Sequence, residues 1–437
     1  MLSSSRPGMP IGPRRVTELG AALSLSAALC AALGVATPAV AQTASDSVEI
    51  KLSGDVRVRS EMDARTSGAG SDHATLLRSR IALLAEVGEE VSALIQISDS
   101  RVFGEETNTL TDASADRLDV HQAYIAWTPN EKVRLRAGRQ EIAFADERLV
   151  GTVNWTNVTR ALDGVRLTLF QGGWTVDGFA TVLDERAALL ATGLNPRTNE
   201  DDASDRSLFG LWAANSNVDL FALADRNATD GTSRTDIDRF TLGARGREQL
   251  GSVALEATAA LQLGRQTQTG LPRQDIEAFL LTANGTYGFE GPLRGRLGIQ
   301  VDYLSGDDTP LDDSFGGFNT LYATNHKFYG FMDFFLNLPR QTGDLGLVDA
   351  MVRGAVHPQA WTLRADLHRF WLAHDSPAGE RGIGTELDLT ASRTLAPGLG
   401  FQAGYSLFSP SAAGEVAPVG LGGDTLHWAY VQLFARF

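Results

Sequence analysis

The sequence predicts an all-β chain: a transmembrane, antiparallel up-and-down β-barrel of about 18 strands, with short periplasmic turns and long external loops. Three observations predict it. Segments of about ten residues alternate apolar and polar side chains, the period of a two-faced strand. The connections between those segments alternate long and short. The chain stops at Tyr430-Val431-Gln432-Leu433-Phe434-Ala435-Arg436-Phe437, which keeps the alternation and ends on an aromatic side chain.

The bulk composition permits this. The 437 residues are 43% hydrophobic, which suits strands that are apolar at every second position. No run of eighteen or more apolar residues follows residue 41, so no helical span is expected. The N-terminus reads as a secretory leader. Arg14 and Arg15 are followed by an apolar run from Leu19 to about Ala36 and by Pro38-Ala39-Val40-Ala41-Gln42, an Ala-x-Ala cleavage pattern. An uncleaved anchor is the competing reading, but the run is short for a span. The expected division is therefore a leader, 1–41, and a barrel, 42–437. The only cysteine, Cys30, lies inside the leader after Leu29 rather than a small residue. Lipidation is thus not expected, and the mature chain would have no disulfide. The formal net charge is −15, and losing Arg6, Arg14, Arg15 and Glu18 would make it more acidic. Such a chain repels nucleic acid, unless its charges are sorted in space.

Taken in order, the alternating segments are 48–60, 76–87, 91–100, 118–128, 132–142 and 160–170. Then come 174–183, 207–215, 217–226, 237–247, 252–264 and 276–288. The last six are 293–304, 347–356, 360–371, 384–394, 399–408 and 426–437. Tight-turn compositions join alternate pairs: Val87-Gly88-Glu89-Glu90, Thr128-Pro129-Asn130-Glu131, Gln171-Gly172-Gly173, Phe289-Glu290-Gly291-Pro292, His357-Pro358-Gln359 and Ala396-Pro397-Gly398. The long connections, 61–75, 101–117, 184–206, 265–275, 305–346 and 409–425, are polar and acidic. An even strand number puts both ends of the barrel on the periplasmic side. The segment 305–346 is long enough to hide a further strand pair, so 16 or 20 strands also fit.

Side-chain facing follows from the same period. In Gly54-Asp55-Val56-Arg57-Val58-Arg59-Ser60, Arg57 and Arg59 share one face and the valines the other. An arginine facing lipid at mid-depth costs about 2–4 kcal/mol, so the valines face lipid and the arginines the lumen. Arg78 and Arg80 sort in the same way against Leu77 and Ile81. So do Arg134 and Arg136 against Val133 and Leu135, and Arg245 and Arg247 against Phe240 and Leu242. Arg294, Arg296, Arg166, Arg353 and Arg364 follow. About sixteen basic and about nine acidic side chains are placed inward by this period-2 rule. The acids include Asp55, Asp177, Glu256, Asp302, Asp366, Glu386 and Asp388. External loops such as Asp201-Asp202-Ala203-Ser204-Asp205 hold much of the remaining acid. A basic wall inside low-dielectric lipid draws anions. A wall neutralised by its own carboxylates is the alternative.

Two stretches carry a resemblance to a known family. The first contains Gly138-Arg139-Gln140-Glu141, Asp146-Glu147-Arg148-Leu149-Val150-Gly151, Trp155-Thr156-Asn157, Arg160 and Asp163-Gly164. The second, Tyr322 to Asp333, contains Thr324-Asn325-His326-Lys327 and Tyr329-Gly330. Together they resemble the alginate export family of bacterial outer-membrane porins, with a looser likeness along the mature chain. The resemblance implies a monomeric 18-stranded barrel in the outer membrane with a basic lumen, passing an anionic polysaccharide such as alginate. Arg139, Arg148 and Arg160 lie in the matching stretches and are expected in the pore. Asn325, His326, Lys327, Tyr329 and Asp333 are expected in a loop that either folds inward as a constriction or packs on the rim. Arg148, Asp146, Arg160 and Asp163 would equally serve as a salt-bridged clip.

The function expected is passive passage of anionic solutes, an acidic polysaccharide first and small anions second. A rim-active enzyme is a distant third. His326, Lys327 and Asp333 are the best cluster for catalysis, but no activated-nucleophile pattern accompanies them, so no catalytic residue is assigned. No cofactor or metal is expected, and the calcium reading of Asp307 to Asp313 is weaker than a solvated loop. The expected partners are outer-membrane lipid and an anionic solute, with no nucleic acid and no periplasmic export partner identifiable.

Overall fold

A computed structural model of the chain describes residues 47–104, 118–184, 204–229 and 235–437. The leader, residues 105–117 of the loop 101–117 and residues 201–203 of the acidic run lie outside the described residues. The strands begin with β1 Val48–Ala64, β2 Asp72–Val87, β3 Val91–Val102, β4 Leu118–Asn130, β5 Val133–Gln140 and β6 Leu162–Gln171. They continue with β7 Trp174–Asp184, β8 Ser204–Ala214, β9 Val218–Thr229, β10 Thr235–Leu250, β11 Val253–Gln268, β12 Gln274–Phe289 and β13 Gly295–Leu304. Then follow the two-residue β14 Ser314–Phe315, β15 Leu347–Val356, β16 Trp361–Trp371, β17 Gly382–Ala396, β18 Leu399–Pro410 and β19 Leu426–Arg436.

Each wall strand pairs antiparallel with the next, and β1 pairs with β19, so the sheet closes. Among the described residues β14 alone lies outside the wall, added parallel to β12, which leaves a closed barrel of 18 strands. The segment 305–346 adds no strand pair to the wall. The loop expected at 265–275 contracts, because β11 and β12 extend to Gln268 and Gln274. Closure places Gly54 opposite the terminal Phe437, with Gly54 N donating to the Phe437 carbonyl at 2.9 Å. A Cβ at Gly54 would stand 2.5 Å from the Phe437 ring, so glycine is what lets the last aromatic residue seal the seam.

The outer face is apolar and uncovered: Leu52, Ile125 and Ile299 are 66%, 62% and 63% exposed. In water that would be unfavourable, but against acyl chains it is the expected surface. The buried apolar cluster lies on the other side of the wall. It joins inward side chains such as Phe221, Phe370, Phe408 and Trp428 to Ile142, Leu149, Val150, Phe318, Phe328, Tyr329, Met332 and Phe335. The last eight belong to the external connections 141–161 and 305–346, so these two loops fold into the barrel and fill much of it.

Candidate functional site

The two loops meet inside the lumen by backbone pairing. Gly151 N donates to the Tyr322 carbonyl and Tyr322 N to the Leu149 carbonyl, each at 2.9 Å, and Thr324 N donates to the Glu147 carbonyl at 2.9 Å. The two stretches that carry the family resemblance thus form one short sheet-like contact. Asn325 to Lys327 make a single 3-10 turn, and Asn325, His326 and Tyr329 are buried. The expected constriction segment therefore folds inward rather than onto the rim.

Arginines of β1 and β2 hold the first loop. Arg57 donates to the carbonyls of Asn154 at 3.1 Å and Thr156 at 2.8 Å. Arg59 donates to the Trp155 carbonyl at 2.8 Å, and its guanidinium lies 4.2 Å above the Trp155 ring. Arg78 reaches the Asn154 carbonyl at 3.1 Å and the Asn154 side chain at 3.0 Å. All four of Arg57, Arg59, Arg78 and Arg80 are buried. The period-2 rule placed them inward, and the structure puts them against a loop backbone. Asp55 accepts from Arg80 at 2.7 Å and from Arg78 at 3.2 Å, and Glu61 pairs with Arg59 at 2.6 Å. Arg57 forms no ion pair among the described residues.

Arg148 anchors the same loop to β13. Its guanidinium pairs with Asp302 on β13 and, at 3.3 Å, with Asp146, and it stacks 4.0 Å over the Phe328 ring. Burial opposes its charge, but Asp302, Tyr329 and Asp146 outweigh that and raise its pKa above the usual arginine range. Arg160 donates to the carbonyls of Gly151 and Tyr322, at the junction of the two loops. The second loop is held from β17. Glu386 accepts from Met332 N at 2.8 Å and Asp388 from Phe331 N at 3.3 Å. His326 Nδ1 hydrogen-bonds the Asp333 carboxylate, which accepts, at 2.7 Å. Its ring stacks between Trp155, at 4.5 Å, and Phe331, at 4.9 Å. Lys327 pairs with Glu147 at 2.9 Å.

The other expected wall arginines divide. Arg166 pairs with Asp177 at 2.8 Å, and Arg245 with Asp219 at 3.2 Å and Glu256 at 2.5 Å. Arg247 pairs with Asp219 at 2.8 Å. Arg353 and Arg364 share Asp366. Arg134 and Arg136 lie over the rings of Phe170 and Tyr124, and Arg136 stands opposite Arg166. Arg296 is in register with Gly288 at the turn end of β13.

Two placements are corrected. Arg294 precedes β13 in an exposed turn and is not on the wall. Arg139 faces outward: it stands opposite Asp163, in a row with Ile95, Ala123 and Val182, and pairs with Asp163 at 2.8 Å. Its odd position matches Val133 and Leu135, so parity assigns it to the outer face. For the same reason Asp163 is not part of a clip with Arg148. Trp155, Phe331 and Tyr430 received no role from sequence. The signal was present in Trp155, within the motif Trp155-Thr156-Asn157, but its stacking partner lies in the other loop.

Toward the periplasmic side of the loops a cavity of about 770 Å³ remains in the lumen. Six arginine or lysine side chains line it (Arg57, Arg78, Lys327, Arg353, Arg364 and Arg436) against the three carboxylates Asp55, Asp146 and Glu147. Trp155, Phe328, Phe331 and Tyr430 supply flat apolar surface between them. The arrangement suits weak, repeated contact with anionic groups on a partly apolar frame.

The family model for alginate export matches residues 47–416. No curated protein sequence matches the chain. Among solved structures, Pseudomonas aeruginosa OpdL is similar with a TM-score of 0.56 at 12% identity, covering 89% of this chain and 99% of that one. Pseudomonas aeruginosa OccK11 (OpdR) gives 0.55 at 13%, with coverage of 89% and 96%. Acinetobacter baumannii OccAB4 gives 0.54 at 9%, with coverage of 89% and 98%. At such identities the likeness establishes the shared barrel fold.

Proposed function

This chain belongs to the alginate export family and is a channel-type barrel of the bacterial outer membrane, and from that premise we propose that it passes anionic solutes passively. An acidic polysaccharide is the first candidate. The observation that carries this reading is the lumen cavity, where six cations face three carboxylates. Much of the charge is paired, but not evenly. Asp366 serves both Arg353 and Arg364, and Arg57 carries its charge without an ion pair among the described residues. Among the groups lining this cavity the excess is positive, inside a wall of low dielectric, which concentrates anions. Aromatic faces beside the guanidinium groups suit sugar rings bearing carboxylates.

A second reading, a small-anion diffusion porin, is favoured by the loops that fill the lumen above that cavity. The barrel is proposed to act as a monomer. In planar bilayers with a salt gradient, the reversal potential is expected to report anion preference. Cation preference would overturn the reading. Addition of oligomeric uronate should block the small-ion current if the polysaccharide is the substrate and leave it unchanged if the pore serves small anions only. We also propose that residues 1–41 are removed on export; N-terminal sequencing of membrane-purified protein should then begin at Gln42, and an intact Met1 would contradict it.

A further inference from the structure

The outer face carries a charge pattern that the lumen does not use. Near the external ends of β9 to β12, Arg226 stands opposite Asp238, Asp238 opposite Arg265, and Arg265 opposite Asp275. Antiparallel partners share a face. On these strands that face is the outer one, because Leu220, Phe240, Leu263 and Leu281 lie at matching parity and are exposed. The four charged residues therefore form one row, alternating in sign, where the apolar band ends.

The two ion pairs in the row are loose. Arg226 Nε lies 3.3 Å from Asp238 and Arg265 Nε 3.4 Å from Asp275, with side chains 55–67% exposed. Pairs this exposed contribute little to stability. The closest approach in each is at Nε. Among the described residues no acceptor meets the Nη groups of either arginine, so four terminal nitrogens face the membrane boundary.

We propose that this row docks a lipid whose headgroup carries phosphate. A guanidinium presents its Nη groups as a fork that fits a phosphate in bidentate fashion. The carboxylates approach each guanidinium nearest its Nε, on the side away from that fork. The position fits as well: headgroups sit at the boundary of the hydrocarbon region, and the acyl chains of such a lipid would run over Phe240, Leu242, Leu261 and Leu263. An outer-face row of this kind is independent of what the lumen conducts.

The test uses the full chain, purified in detergent and mixed with a phosphorylated glycolipid or with the same lipid stripped of phosphate. Native mass spectrometry reads the lipid retained. The unaltered protein should prefer the phosphorylated form, and Arg226→Gln/Arg265→Gln should lose about tenfold in retention of it for each arginine replaced. Arg381→Gln, which breaks an equally exposed pair with Asp375 at 2.8 Å in a loop, should leave the preference intact. The proposal is overturned if the double variant keeps the preference, or if Arg381→Gln lowers it equally. It is also overturned if the unaltered protein runs as a two-copy species that the double variant dissolves, since the row would then be a protein contact. The substituted side chains are exposed, and heat-modifiable gel migration confirms that each variant is folded; the single substitutions carry the test if the double is not.

Discussion

Replacing Arg57 and Arg78 together by glutamine is expected to raise single-channel conductance and to weaken anion selectivity at once. The two effects have separate causes. Conductance depends on whether the loop 141–161 stays in the lumen. Arg57 and Arg78 hold its Asn154 and Thr156 carbonyls at 2.8–3.3 Å. Bonds from a charged donor contribute about 1.5–3 kcal/mol each when lost. Glutamine recovers part of this, and Arg59 and Asn157 still hold the loop through the Trp155 and Leu77 carbonyls. A net loss of about 3 kcal/mol shifts the in–out equilibrium of the loop roughly a hundredfold. Selectivity depends on charge, and the double variant removes two cations from the cavity lining. Arg57→Lys/Arg78→Lys separates the causes. Lysine keeps the charge but not the planar fork, so selectivity should persist while conductance rises. If the glutamine pair leaves both conductance and reversal potential unchanged, these arginines neither hold the loop nor set the field.

The same residues show what was legible in the sequence. The strand period alone located every wall strand and turned Arg57, Arg59, Arg78 and Arg80 inward, because the lipid cost of the wrong face is large and local. Their partners were not legible. Asn154 and Thr156 lie far along the chain, and what brings them in is backbone pairing between Gly151 and Tyr322, which no local pattern encodes. Arg139 is the instructive error. Its parity with Val133 and Leu135 assigns it to the outer face, but its place in a family-like stretch suggested the pore. The physical rule was the better guide there, and the pair with Asp163 on the outer face agrees with it. The rim row from Arg226 to Asp275 needed register as well as parity, and register is set by turn geometry that the sequence specifies only loosely.

Arg148→Met is expected to have the largest effect on the lumen's order. Asp302 is wholly buried, and its Oδ1 already lacks a hydrogen-bond partner. Arg148 and Gln300, the latter at 3.1 Å, are what it pairs with through Oδ2. Breaking a buried pair from one side typically costs about 3–5 kcal/mol, because a charge is left without compensation. The wall need not absorb that cost, since its strands are held by their own ladders. The loop can leave instead and admit water to Asp302. The expected signature is therefore local: amide exchange at Gly151, Tyr322 and Thr324 should accelerate about a hundredfold or more, while strand amides of β13 stay protected. Arg148→Met/Asp302→Leu removes both charges and should return exchange close to that of the unaltered protein. If the double variant exchanges as fast as Arg148→Met, the loop is held by the stacking of Arg148 on Phe328 rather than by the ion pair. If β13 loses protection as well, the pair supports the wall itself.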